Sequence, residues 1–250
     1  LFAESLADLR PWDLWTPDGQ PQPGTEELIV TLDQVIALQP AHPLANHLYI
    51  HAVEASPEPG RADAAADRLR ELQPGLGHMV HMPSHIDVRR GRWQQAIEAN
   101  ARAIEADRRY TERSPEQQFY RLYMAHNHHM LAYAAMMNGQ SGLALETMRA
   151  MVADIPADFF RANPWADGMM AMPLEVMMRF GQWQAILAEP EFPEYAPFSR
   201  ALRHYARAVA LAATDDMDGA RREQTAFHAA RAAVHDQRAF GEAADAGAAH

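Results

Sequence analysis

The sequence predicts an all-α fold made of antiparallel helix pairs stacked in series, and three observations predict it. A glycine followed two residues later by an aromatic residue and then by alanine occurs at Gly91 and, in a close copy, at Gly181. Apolar residues recur with helical spacing on both sides of these glycines. The alanines let two neighbouring helices approach closely, which is typical of a helix–turn–helix unit.

The unit repeats along the chain, with looser copies of the pattern at Gly139 and Gly219. The spacings from Gly60 to the glycines of these four copies, taken in order, are 31, 48, 42 and 38 residues. These spacings scatter around the period of about 34 residues of tetratricopeptide repeats, which predicts an irregular array with insertions. The predicted fold class is therefore a single tetratricopeptide-like solenoid over residues 1–250.

Local signals bound the predicted helices. Thr25 starts a helix with acidic residues in its first turn, and Pro40 ends it. Prolines and glycines predict loops over residues 11–24 and 189–197, and the small-residue tail 243–250 is expected to fray. The predicted pairs are 1–9 with 26–39, 43–55 with 60–72, 77–90 with 92–107, 116–138 with 140–153, 165–180 with 182–188, and 198–213 with 216–238.

Composition excludes several classes of function. The formal charge is −11, from 33 acidic and 22 basic residues, whereas a nucleic-acid partner needs a cationic face. The absence of cysteine excludes disulfides, thiolate metal sites and cysteine nucleophiles. No apolar run reaches the roughly 18 to 20 residues of a membrane helix. We therefore expect neither nucleic acid nor a membrane span, and the compartment stays open between cytoplasm and periplasm.

Four segments carry distinctive motifs: residues 11–15 (PWDLW), 42–56 (HPLANHLYIHAVEAS), 77–93 (GHMVHMPSHIDVRRGRW) and 125–129 (AHNHH). They resemble a family of bacterial tetratricopeptide-repeat proteins of unassigned activity, and the resemblance covers about residues 1 to 140. It implies the repeat fold. It also implies that this chain is the C-terminal part of a longer protein, whose earlier repeats would then be its partners, and the helical pattern starting at Leu1 agrees. The resemblance implies no reaction.

Histidines are concentrated between positions 47 and 129, where eight of the 13 lie. Side chains at i, i+3 and i+7 of a helix fall within an arc of about 60°, and the spacing i, i+4 and i+7 gives a similarly narrow arc. The first helices of three successive pairs are thus predicted to carry matching stripes. The stripes are His47, His51 and Glu54; His78, His81 and His85; and His126, His129 and Tyr133.

The repeat register gives an independent prediction. In tetratricopeptide arrays the first helix of each pair lines a concave surface, chiefly through its second, fifth and ninth positions. Counted from Gly91 and Gly139, those positions carry all six members of the second and third stripes. Counted from Gly181 they carry Gly168, Ala171 and Glu175, so the fourth pair adds one carboxylate. Adjacent first helices are expected about 8 to 10 Å apart, close enough for neighbouring stripes to meet.

Converging imidazoles predict a metal site, because neutral histidines must satisfy two ring nitrogens each and charged ones repel. Imidazole without thiolate suits copper, zinc or iron. A three-histidine site with an open position would activate water for hydrolysis or bind dioxygen for oxidation. Glu54 or Glu175 would be the general base or a bridging ligand, and Tyr133 would line the groove. The predicted ligands are His47, His51, His78, His81, His85, His126 and His129.

The competing hypothesis is a non-enzymatic scaffold, in which the histidines form a polar groove that binds a peptide or another protein. His128 lies about 200° from His126 around the helix and is expected to face away from the groove. The other histidines and four tryptophans are expected to have structural roles. These residues are His42, His204, His228, His235 and His250, with Trp12, Trp15, Trp93 and Trp183.

Overall fold

The computed structural model describes residues 1–234 and is all-α. Within these residues the only β-type pairing is an isolated antiparallel bridge between Trp15 and Pro21, which closes the loop after the first helix. The chain forms two compact units that meet in sequence at Asn138 and Gly139. Their helices account for almost all of the segments predicted from periodicity.

The first unit contains eight α-helices among the described residues, and short 3-10 turns at Pro59–Ala62 and Gln118–Tyr120 precede two of them. The helices are α1 (Phe2–Asp8), α2 (Thr25–Leu38), α3 (Pro43–Glu54), α4 (Asp63–Leu72), α5 (Gly77–His81), α6 (Pro83–Arg89), α7 (Trp93–Arg113) and α8 (Arg121–Met137).

The second unit opens with α9 and includes a long 3-10 segment, Pro164–Ala171, where the sequence predicts α-helix. Helix α10, which is short and lies between two predicted pairs, is not predicted from the sequence. The predicted segment 235–238 and the predicted tail 243–250 lie outside the described residues. The helices are α9 (Ser141–Asp154), α10 (Ala157–Ala162), α11 (Met172–Arg179), α12 (Trp183–Ala188), α13 (Pro197–Ala213) and α14 (Met217–Ala233).

Apolar residues of α2, α3, α4 and α6 form the core of the first unit. Leu32, Ile50, Leu69 and Ile86 are at most 2% exposed and belong to one cluster. On α3 the buried residues alternate with the partly exposed stripe that carries His47. The core therefore fixes the rotation of α3 about its axis and presents its histidines on the opposite face.

Three predicted repeat glycines are confirmed as turn residues by their backbone conformation. Gly91, Gly139 and Gly181 have φ of 70°, 75° and 63°, the left-handed region that an L side chain rarely adopts. Gly219 differs because it lies inside α14. Asp215 takes the left-handed conformation there, with φ of 64°, and the Asp216 carboxylate caps α14 by accepting a hydrogen bond from the Gly219 N–H at 2.8 Å.

The predicted helix 77–90 is broken in two. α5 ends at His81, and Pro83 is the first residue of α6. Proline lacks the N–H that a continuous helix requires, but it is tolerated at a first helical position. The break separates His78 and His81 on α5 from His85 on α6.

The second unit has its own core and its own connections. Met177 and Ile186 are fully buried with Ala206 and Ala210. The predicted loop 189–197 is non-helical, and two arginines of α13 hold its start by donating to the carbonyl oxygens of Leu187 and Glu189, each at 2.8 Å. None of the helices in residues 1–234 combines the length and apolar character of a membrane span.

Candidate metal centre

The three predicted histidine stripes meet inside the first unit. His47 and His51 come from α3, and they face α5 and α6, which carry His78, His81 and His85. Helix α8 reaches the same place from the other side and adds His126. The packing of α3 on α6, and of α5 on α8, brings together residues 79 positions apart in sequence.

Five of these imidazoles form a closed ring of side-chain contacts. The ring centroids are 4.9 Å apart for His47 and His51, 5.1 Å for His47 and His78, and 5.8 Å for His78 and His81. His85 closes the ring at 4.7 Å from His81 and 5.2 Å from His51. The sixth imidazole, His126, lies 4.8 Å from His81 and 5.6 Å from His85.

The six imidazoles supply two sets of three histidines, and within each set one nitrogen per residue lies within 4.8 Å of the other two. His51, Glu54 and His85 form a third such set. Two nitrogens bound to one ion at about 2.0 to 2.1 Å are about 2.8 to 3.4 Å apart for angles of 90° to 109°. The Nε2 atoms of His47 and His78 are 3.3 Å apart, and those of His81 and His85 are 2.8 Å apart. Group A is His47, His51 and His78, and group B is His81, His85 and His126.

Glu54 joins the two groups. Its two oxygens accept hydrogen bonds from the Nδ1–H of His51 at 2.7 Å and of His85 at 2.5 Å. Burial opposes the charged carboxylate, but the hydrogen bonds from both histidines and their charges outweigh burial and lower the pKa of Glu54 to about 2. An ionised carboxylate only accepts, so each histidine donates through Nδ1, and in the neutral imidazole the lone pair then lies on Nε2. This is how a carboxylate orients metal-binding histidines.

Asn100 orients a third imidazole. His81 is fully buried, and its Nδ1 lies 2.7 Å from Asn100 Oδ1. The Asn100 Nδ2 donates to the Ala96 carbonyl at 2.8 Å, which leaves its oxygen to accept from His81. The His81 Nε2 therefore points at His85 with its lone pair available. Asn100 is not predicted from the sequence. A polar residue among the buried alanines of α7 is the signal that could have identified it.

Burial favours the neutral form of four imidazoles, those of His47, His78, His81 and His126. Burial, followed by the charges of neighbouring histidines, lowers the pKa of His47 to about 3, of His78 to about 4 and of His126 to about 4. Burial also lowers the pKa of His81 well below its ordinary value of 6.5. Neutral imidazole is the form that binds metal, so these histidines are competent at neutral pH.

Two buried nitrogens lack partners. The Nδ1 atoms of His47 and His78 have no hydrogen bond among the described residues, although each is shielded from solvent. Leaving a buried polar atom unpaired costs about 1 to 3 kcal/mol. Each Nδ1 is therefore a buried polar atom whose partner the described residues do not supply, and such atoms in a native fold call for a functional explanation.

Other predicted residues lie outside the two groups. His129 lies on α8, and burial lowers its pKa, but it joins neither group. Tyr133 is 37% exposed and packs edge-on against Trp93, with ring centroids 6.2 Å apart. Glu175 lies on α11 in the second unit, where burial raises its pKa.

The histidines predicted to be structural have ordinary partners where the structure describes them. His42 caps α3 by accepting from the Ala45 N–H at 3.2 Å, and His204 pairs with Glu223 at 2.7 Å. His128 is buried and donates from Nδ1 to the Met124 carbonyl at 3.0 Å, outside both groups. His228 contacts the ring of its neighbour Phe227, and His235 and His250 lie outside the described residues.

One structural prediction is wrong. Trp12 does not pack in the core: its side chain is 78% exposed, its φ is 64°, and its indole contacts the imidazole of His51. Trp15, three residues later, does pack, and its Nε1–H donates to the Ala52 carbonyl at 2.8 Å. Sequence spacing in an irregular loop carries no signal that separates these two roles.

Comparison with known proteins adds no assignment: no model of a protein family matches this sequence, and no curated protein is significantly similar to it. The resemblance to a bacterial tetratricopeptide family therefore stays a prediction. The fold and the two histidine groups are the basis for the function proposed below.

Proposed function

We propose that this protein binds transition-metal ions, with one ion in group A and one in group B. The observation that carries the proposal is the double hydrogen bond of Glu54, which orients one histidine of each group and leaves both Nε2 atoms free to coordinate. The separations of 3.3 Å and 2.8 Å between Nε2 atoms support it, since they match or come close to those of nitrogens sharing an ion.

The donor set limits the choice of metal. All six ligands proposed are imidazoles, and the chain has no cysteine, so copper, zinc and iron fit better than metals that prefer oxygen. Three protein ligands per ion leave a coordination position for water, dioxygen or a substrate. A hydrolytic or an oxidative metalloenzyme is therefore the activity proposed for this protein.

Glu54 is proposed to act as a positioning residue. The sequence suggested that it serves as general base or bridging ligand. Both of its oxygens accept hydrogen bonds from His51 and His85, which favours a positioning role, although His51, Glu54 and His85 also offer one ligand atom each within 4.8 Å of one another. A carboxylate held this way fixes the tautomer and orientation of both imidazoles and raises their basicity. Glu175 stays a candidate general base on the sequence evidence alone.

We also infer that the helix pairs stack as a tetratricopeptide-like solenoid related to the bacterial family named above. Left-handed turn glycines at Gly91, Gly139 and Gly181 support this inference, as does the packing of successive helices within each unit. In such an array, the first helices of successive pairs bring their stripes together, which is how α3, α5, α6 and α8 assemble the two groups.

Elemental analysis of tag-free protein purified without chelator tests the proposal. We expect about two ions of copper, zinc or iron per chain after reconstitution and dialysis, and at most one in a His81→Ala, His85→Ala double variant. His228→Ala is the matched control, because His228 is exposed on α14. Protein that is metal-free and takes up no added ion would refute the proposal and favour the peptide-binding scaffold.

A further inference from the structure

Two solvent-exposed aromatic side chains contact group A. The indole of Trp12 lies edge-on to His51 with ring centroids 4.9 Å apart, and Trp12 is 78% exposed. The phenol ring of Tyr123 lies edge-on to His78 at 5.0 Å, and Tyr123 is 40% exposed. Large aromatic groups exposed next to a polar cluster are typical of ligand-binding surfaces.

Trp12 is held in its exposed position by a firmly anchored loop. Its φ of 64° is unusual for a bulky residue, and such conformations persist where the surroundings enforce them. The indole N–H of Trp15 bonds to Ala52, and the Thr25 hydroxyl donates to the Leu14 carbonyl at 2.8 Å. Leu14 and Trp15 lie within three residues of Trp12, and Ala52, the partner of Trp15, is on α3, which also carries His51.

Tyr123 belongs to a second aromatic platform. Its ring stacks on Tyr120 with centroids 5.7 Å apart and meets Phe119 edge-on at 6.2 Å. The Tyr120 hydroxyl donates to the buried Asp107 carboxylate at 3.3 Å, which fixes the platform on α7. Phe119 is 68% exposed, so the platform extends from His78 to the solvent.

Group B has different neighbours from group A. His81 is fully buried, and the described residues place only other histidines in ring contact with group B. The two groups therefore have different surroundings: group A has exposed aromatic rings at its edge, whereas the ring contacts of group B are all with histidines.

We infer that group A is the substrate-facing end of the centre and takes a small planar aromatic ligand with an oxygen donor, such as a phenolate or an aromatic carboxylate. The inference rests on the proposed metal site. The ring of the ligand would pack on Trp12 or Tyr123, while its oxygen would occupy the open position of the ion. Aromatic side chains favour planar rings over saturated rings of equal size because offset and edge-on ring pairs add attraction beyond area burial.

Isothermal titration with benzoate and with cyclohexanecarboxylate tests the inference, because the two share a carboxylate and differ in their ring. The protein is the full chain loaded with Zn²⁺, which does no redox chemistry. We expect benzoate to bind about threefold to tenfold more tightly than cyclohexanecarboxylate, and Trp12→Ala and Tyr123→Ala each to remove most of that preference. Phe2→Ala is the control, since Phe2 is 58% exposed on α1 and contacts no histidine ring.

Zinc content is measured on every sample, so the two proposals can fail separately. Zinc-loaded protein that binds both acids equally, or whose preference survives in both aromatic variants, overturns the inference and leaves the metal site standing. Benzoate binding of equal strength to metal-free protein also overturns it. Protein that holds no zinc overturns the metal site and, with it, this inference.

Discussion

At the scale of single residues, the centre depends on side chains that are not themselves proposed ligands. Glu54 accepts hydrogen bonds from the Nδ1–H of His51 and His85, and Asn100 accepts one from that of His81, which leaves Nε2 of all three as the atom for coordination. Such partners typically change metal affinity by 10 to 100-fold when they are removed. The two residues can be tested separately because they act on different imidazoles.

Glu54→Gln should lower zinc affinity by about 10 to 100-fold with little change in fold. Glutamine keeps the shape of the side chain, but its amide nitrogen cannot accept, so one of His51 and His85 loses its partner. Competition with a chromophoric chelator measures the affinity. Glu98→Gln, at an exposed site on α7, is the control, and Glu175→Gln measured alongside tests the role that the sequence suggests for Glu175. Unchanged affinity in Glu54→Gln would contradict the positioning role.

Asn100→Ala should destabilise the metal-free protein by about 1 to 3 kcal/mol, because the buried His81 N–H would lose its acceptor. It should also weaken the ion in group B. Urea unfolding gives the stability, and zinc titration gives the occupancy. Asn138→Ala is the matched control, since Asn138 is exposed at the end of α8. Equal stability of the two variants would show that His81 does not need Asn100.

At the scale of elements, the short helix α5 must approach α7 closely. A Cβ atom on Gly77 would clash with Oδ1 of the buried Asp107 carboxylate, whose other oxygen accepts a hydrogen bond from Asn127 Nδ2 at 2.7 Å. Glycine at this position therefore sets how deeply α5 carries His78 and His81 into the centre. The small residue at position 77 allows the axes of α5 and α7 to come close together.

Gly77→Ala should cost about 1 to 3 kcal/mol of stability and weaken metal binding in both groups, because α5 must move away from α7. Gly75→Ala is a closely matched control, since a Cβ atom at Gly75 meets nothing within 4 Å. Urea midpoints and zinc affinities of the pair decide the question. A Gly77→Ala protein that matches Gly75→Ala in both measurements would disprove the packing argument.

At the scale of the whole molecule, the proposed function belongs to the first unit, whose helices α3, α5, α6 and α8 supply every member of groups A and B. The second unit has its own core around Met177 and Ile186. Burying neutral imidazoles couples the stability of the fold to pH and to metal. The metal-free protein should consequently be sensitive to mild acid.

Lowering the pH from 7.5 to 4.5 should destabilise the metal-free protein. The unfolded chain takes up protons on His47, His78 and His126 near 6.5, whereas the folded values are about 3, 4 and 4. Stability linked to these groups is therefore complete above pH 6.5 and is lost as the pH falls toward about 4. The loss is on the order of 1 to 3 kcal/mol for each histidine. The pKa of Glu54 is about 2, so Glu54 stays ionised throughout this window.

Urea midpoints across this range measure the effect. A His47→Gln, His78→Gln variant should have a flatter pH profile, because glutamine does not titrate, and His228→Ala should keep the parent profile. A midpoint that is constant or rises on acidification would contradict the predicted burial of neutral imidazoles.

The sequence by itself determined the all-α class, most helices and the stripes, because a period of 3.6 residues fixes which side chains share a helix face. The predicted stripes contain all six histidines of groups A and B. The sequence could not show that α8 offers His126 but not His129 to the groups, because the crossing of neighbouring helices decides which residue of a stripe makes contact.

Only the tertiary structure decided how these residues are arranged. The engagement of both Glu54 oxygens, the support from Asn100 and the exposure of Trp12 depend on partners more than ten positions away or on loop conformation. Local periodicity holds no information on such contacts. Such contacts depend on how closely the helices pack. Packing distance depends on the shapes of individual side chains, which the helical pattern does not distinguish.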